Sequence, residues 1–155
     1  MLLANVGSSV DVSSRLAGKE AAIKAKKDLK DINLAFIYSS VKNNQSELLE
    51  GISEELPGVP LIGNTSFSGI ITQDGFISSD SGFVGILTLS DPNLTVGVSG
   101  MTKYESARLT GNKVAVEALK SAGKTTPPDY FYMVAPPGEE ELYLEGKRRP
   151  DYPPH

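Results

Sequence analysis

From Ile32 to Gly63 the chain reads "INLAFIYSSVKNNQSELLEGISEELPGVPLIG". Ile32–Tyr38 is almost continuously apolar, as suits a central strand covered on both faces. Ser39 and Ser40 end that run. Asn44 then supplies a side-chain oxygen for a helix N-terminus, with Glu47 three residues later at the capping-box spacing. Leu48, Leu49, Ile52 and Leu56 recur at helical spacing and form one apolar stripe. Pro57-Gly58 stops the helix, and Val59–Gly63 is a short second strand. A strand, a helix and a strand joined this closely make a βαβ unit with parallel strands, and hence an α/β fold.

Upstream, the apolar run Leu2–Val6 predicts a first strand that ends at Gly7-Ser8-Ser9. Asp11, Ser13 and Ser14 are candidate caps for a helix over Arg15–Lys30, rich in Ala and Lys, with Glu20 and Lys24 spaced i,i+4 for mutual support. Downstream, "GIITQDGFIS" (69–78) predicts a hairpin around Asp74-Gly75. Phe83–Ser90 reads as a strand, and Asp91-Pro92-Asn93 as a turn. "LTVGVSGM" (94–101) alternates apolar with small polar residues, the period of another strand. A third helix is expected over Glu105–Ala122, closed by Gly123, and a last strand over Asp129–Gly138. Glu139 opens a further helix, and the final six residues form a loose tail. The expected architecture is α/β (mixed α+β): a mixed sheet with a βαβαβ start, a β-meander, then αβ, with helices packed on the sheet. Residues 1–138 form one domain and 139–155 a C-terminal extension. No internal repeat is expected.

The 155 residues carry 39% hydrophobic and 22% charged side chains and a net charge of −4. That balance builds a core without staples and lacks the basic footprint of a nucleic-acid binder. There is no cysteine, and the one histidine is His155. Thiolate chemistry, imidazole metal sites and Ser-His-Asp triads therefore have no ligands or base to draw on. No cofactor is expected. Nothing resembles a secretory leader, and no apolar run reaches the roughly 20 residues that span a bilayer. A cytoplasmic protein with no membrane contact is the expectation.

The chemistry that remains is polar and small. If the first three strands are parallel, Ser8, Ser9, Ser39, Ser40, Asn64, Thr65 and Ser66 gather along one sheet edge, where open α/β sheets bind ligands. Gly7, Gly63 and Gly69 would permit close backbone approach. These ten residues either line a site for a small polar ligand or form turns that satisfy their own backbone. A serine nucleophile would need a base, and neither "GSS" nor "GNTSFSG" matches a nucleophile elbow or a P-loop.

"NVGSS" after a first strand, "LAFIYSS", "ELLEGISEELPGVPLIGNTSFSGII" and "GFVGILTLSD" occur in an order that resembles the N-terminal half of FIST domains, over most of residues 3 to 138. The resemblance implies a sensory domain of signal-transduction and F-box proteins, with amino acids or related metabolites as ligands; it does not imply turnover. The chain departs from the family pattern at Asn64 and Ile70. The resemblance also implies a second FIST half, so the chain is expected to be a stand-alone variant or a fragment. The expected function is therefore non-enzymatic binding of a small polar molecule, with a signalling protein or a C-terminal FIST half as partner. The alternative is an interaction or assembly domain without ligand, forming a homo-oligomer through the small polar face of 94–100.

Overall fold

The structure, a computed structural model, describes residues 1–148. Its elements are β1 (Leu3–Ser9), α1 (Ser14–Lys26), β2 (Leu34–Ser40), α2 (Gln45–Glu55), β3 (Leu61–Ser66), β4 (Ile70–Thr72), β5 (Gly75–Ile77), β6 (Val84–Ser90), α3 (Ala107–Ser121) and α4 (Glu140–Arg148). They fall into two compact units, Met1–Leu94 and a second from Thr95 onward. Within the second unit α4 packs on α3. The tail expected over the final six residues lies outside the described residues.

In the first unit the mixed sheet has the order β1-β6-β2-β3. β6 runs antiparallel to both neighbours, so Ile86 stands opposite Gly7 on one side and Ile37 on the other. β3 pairs parallel with β2. β1, β2 and β3 therefore point the same way, as expected, but β1 and β2 are not neighbours. Both crossovers step in the same direction, and right-handed connections then place α1 and α2 on one face. The core on that face joins Ala17, Ala21, Ala22 and Ala25 of α1 and Leu48, Ile52 and Leu56 of the second helix region to Ala35, Ile37, Val84 and Ile86. Leu49, read as part of the α2 stripe, is exposed.

The buried face of α1 is Ala17, Gly18, Ala21, Ala22 and Ala25. Small residues give a weak apolar stripe but allow close packing, which is why the periodicity there is diffuse. Ser13 caps α1 by accepting from the Leu16 amide, and Asn44 caps α2 by accepting from Ser46 and Glu47. α1 ends at Lys26 instead of Lys30: Asp28 takes a left-handed φ of 62°, and the Asn5 side chain donates to the carbonyls of Lys24 and Lys27. The two helices meet at glycines. A Cβ on Gly18 would fall on the Leu48 carbonyl, and one on Gly51 on the Arg15 carbonyl.

Ion pairs line the outer rim of this crossing: Arg15 with Glu54, Lys19 with Glu54 at 3.1 Å and Lys26 with Glu55 at 2.5 Å. Hydrogen bonds from Arg15 and Lys19 lower the Glu54 carboxyl below its ordinary range, and Lys26 does the same to Glu55. A carboxyl lowered on folding contributes stability above its unfolded pKa and loses it as pH falls through the folded value. The first unit is therefore expected to weaken as pH drops below the ordinary carboxylate range. In urea titrations across that window, Glu54→Gln should flatten the decline, and added salt should shrink it because the pairs are solvent-exposed.

β3 extends through Gly63 to Ser66 rather than ending before the polar cluster. The hairpin forms as expected, with Thr72 opposite Gly75 and Gln73-Asp74 as its loop. Buried Ile70 reaches over Gly85, whose missing side chain leaves room for it.

In the second unit Ser106 caps α3, accepting from Leu109, and Gly123 at φ 64° follows its C-terminus. α4 crosses α3 at Gly111 and Gly146, where Cβ atoms would fall on the carbonyls of Tyr143 and Arg108. The strands expected over 94–101 and 129–138 do not form; neither segment joins a sheet. Gly97 of the first segment lies against the Ala118 carbonyl of α3. Alternation makes a segment fit a pleated surface, but only a ladder partner makes it a strand.

The helix pairs of the two units also resemble one another in sequence and in their glycine crossings. Ser13–Ala25 and Ser106–Ala118 align without gaps and are identical at Ser13/Ser106, Arg15/Arg108, Leu16/Leu109, Gly18/Gly111, Ala22/Ala115 and Ala25/Ala118. "LEG" recurs at 49–51 in α2 and 144–146 in α4, each time with its glycine at the helix crossing. Val6-Gly7 corresponds to Val96-Gly97, each glycine lying against the helix that follows. A longer loop before α3 and a helix of 15 rather than 13 residues break the period.

Candidate functional site

A cleft of about 470 Å³ opens at the C-terminal end of β1, lined by Ser8, Ser9, Val10, Asp11, Glu20, Lys24 and Ile77. Its geometry begins with Gly7. A Cβ there would fall on the Ala21 carbonyl, so glycine lets α1 lie directly on the strand. Glu20 and Lys24, one helical turn apart, are thereby brought beside the strand end. Ser9 Oγ donates to Glu20 Oε2 at 2.8 Å and accepts from the Asp11 amide at 3.2 Å. Lys24 Nζ donates to the Ser8 carbonyl at 2.8 Å, and Asp11 Oδ1 accepts from the Ser13 amide at 2.8 Å. Ser9 is buried, whereas Glu20 and Lys24 are exposed. The rim thus holds one ammonium group and two carboxylates around a small open volume.

Of the ten residues singled out from the sequence, Ser8 and Ser9 line this cleft, with Gly7 beneath it. Ser9, Ser39 and Thr65 do lie on one row across the sheet edge, through Val84. Ser39 Oγ, however, donates to Gln45 Oε1 at 2.7 Å, and Ser40 Oγ accepts from the Lys42 amide at 3.1 Å. These two complete the turn into α2. Asn64 donates to the Thr65 carbonyl at 3.0 Å, and Ser66 to the Gly69 carbonyl at 2.7 Å. Thr65 is exposed on β3. Gly63 is approached by the Ile37 backbone, and Gly69 by the Phe76 ring and the Ile77 carbonyl. Each of these glycines makes room for the protein's own chain.

Sequence reasoning had placed Asp11 among the helix caps and Glu20 with Lys24 as a helix-surface pair; it did not single out Val10 or Ile77. The available signal was spacing: Glu20 and Lys24 flank Ala21, which packs on the glycine of the preceding strand. Among the described residues no group of three or more His, Cys, Asp or Glu could hold a metal ion, and no helix is long and apolar enough to cross a membrane.

A family model described as the FIST N domain matches residues 33–153. The chain belongs to the FIST family. Membership is consistent with a sensory or signalling domain. The matched stretch of this FIST chain includes Ile77 and parts of both units, whereas the β1 and α1 residues of the cleft precede it. No curated protein sequence matches the chain. Among solved structures, an empty FtsZ dimer from M. jannaschii aligns at 13% identity and TM-score 0.39, over 66% of this chain and 34% of that one.

Proposed function

We propose that this FIST chain is a non-enzymatic, cytoplasmic sensory domain that binds a small zwitterionic metabolite, an amino acid or a close derivative, at the end of β1. The observation that carries the reading is the placement of Lys24 against Glu20 and Asp11 around a volume of small-molecule size. A ligand carboxylate would take the charge-assisted bond that Lys24 now makes to Ser8, and a ligand ammonium would sit between Glu20 and Asp11. Ser9, donating to Glu20 and accepting from the Asp11 amide, holds the floor of the site. A signalling protein or a second FIST half would read the bound state.

Thermal unfolding against a panel of amino acids tests this. A ligand at about 100 times its Kd adds roughly 2.7 kcal/mol. Lys24→Ala should abolish that gain while moving the unliganded protein by no more than about 0.5 kcal/mol, as expected of a surface change. A panel without any shift, or a shift that survives Lys24→Ala, would sink the reading.

One observation favours the assembly reading. Phe67, Ile71 and Phe76 are 85%, 86% and 66% exposed, and Ile71 stands opposite Phe76 on the hairpin. Clustered apolar exposure of this kind marks contact surfaces. Sedimentation over a wide concentration range separates the two readings: a strict monomer removes the second.

A further inference from the structure

We infer, on the binding reading above, that the cleft at the end of β1 selects amino acids with a branched aliphatic side chain, and that Val10 and Ile77 make this choice. A zwitterion uses up the charged groups of the cleft. Asp11, Glu20 and Lys24 are the charged residues of its lining. An α-carboxylate on Lys24 and an α-ammonium between Glu20 and Asp11 engage all three. Ser9 is already bonded to Glu20 and to the Asp11 amide. The Ser8 carbonyl, released by Lys24, is an acceptor and suits the same ammonium. Beside the two serines, what remains of the lining is Val10 and Ile77.

The apolar wall is built by the fold. Ile77 comes from the hairpin, not from β1 or α1. It stands opposite Ile70, so both side chains leave the same face of the hairpin. Ile70 is buried and reaches over Gly85, and Gly85 is the sheet partner of Ser8. That register carries Ile77 to the end of β1. The root of the hairpin is tied down: Ser66 Oγ donates to the Gly69 carbonyl at 2.7 Å, and Ser78 Oγ to the Ser68 carbonyl at 2.8 Å. Val10 follows directly on β1 and is half-exposed. A ligand side chain laid against these two branched residues gains apolar burial. A carboxylate side chain would lie beside Glu20 and Asp11 with Lys24 already taken, and like charges repel. A basic side chain would either lose water against Val10 and Ile77 or compete with the ligand's own ammonium for the same two acids.

Isothermal titration of the full chain with glycine, valine, leucine, isoleucine, glutamine, glutamate and lysine tests this. The best of the three aliphatic ligands should bind at least about tenfold more tightly than each of the others, which is about 1.4 kcal/mol. Ile77→Lys should turn the preference toward glutamate, an exchange that a purely structural role for Ile77 would not produce. Val10→Lys should do the same from the half-exposed side of the wall, and it decides if the hairpin variant misfolds. Glycine, glutamine, glutamate or lysine binding within tenfold of the best aliphatic ligand overturns the selectivity and leaves the binding reading standing. A preference unchanged in both lysine variants overturns the assignment of Val10 and Ile77. No binding by any of these amino acids overturns the selectivity and the binding reading together.

Discussion

Gly51→Leu is expected to unfold the first unit. Gly51 lies in the middle of α2, where glycine costs about 1 kcal/mol relative to alanine, so propensity alone predicts that any side chain would help. The crossing reverses that sign. A Cβ at Gly51 would fall on the Arg15 carbonyl and come within 3.0 Å of the Lys19 amide. Those are backbone atoms of α1, which cannot swing aside as a side chain could. α1 would have to lift, and Ala17, Ala21, Ala22 and Ala25 would leave the core with it. Overpacking by one carbon typically costs about 1–3 kcal/mol. A leucine adds a branched side chain in the same place, and a loss beyond about 4 kcal/mol approaches the whole stability of a small domain. Urea unfolding followed by circular dichroism measures this. A variant within about 1 kcal/mol of the parent would mean that α1 and α2 do not cross at these glycines.

The second large effect is expected for Ile86→Ala. Ile86 is 1% exposed on the central strand of the first unit, facing the helices. Truncating a buried isoleucine costs about 2–5 kcal/mol, the upper end applying where neighbours cannot collapse into the space. Gly7 beside it on β1 and the alanines of α1 in the same core have little side chain to move inward, so the upper half of that range is expected. Leu87, the next residue, points to the opposite face and is only partly buried. Leu87→Ala should cost clearly less. Equal losses at 86 and 87 in denaturant titrations would contradict the placement of β6 at the centre of the sheet.

The sequence revealed those parts of the fold that depend on local chemistry. The Asn44 cap, the Leu48–Ile52–Leu56 stripe, the 70–77 hairpin and the Gly123 stop all follow from neighbouring residues. The insertion of β6 between β1 and β2 does not, because strand order depends on contacts remote in sequence. α1 hid its buried face because alanine and glycine carry little hydropathy. The 94–101 and 129–138 segments have strand patterns without a ladder partner, and pattern alone cannot supply one. At the site, Ser8 and Ser9 were legible as a polar strand end. Glu20 and Lys24 were visible only as a helix-surface pair, since their place beside β1 depends on the absence of a side chain at Gly7. The likeness of the two helix pairs was masked by two length changes, in the loop before α3 and in α3 itself, and became visible from the matched glycine crossings.

The most direct test of the proposed sensory role is an amino-acid titration of the full chain, followed by backbone amide chemical shifts. Saturable shifts at Ser8, Ser9, Val10, Asp11, Glu20 and Lys24, absent in Lys24→Ala, are the predicted result. No shift with any amino acid, or shifts that map to the exposed hairpin instead of the end of β1, would contradict it.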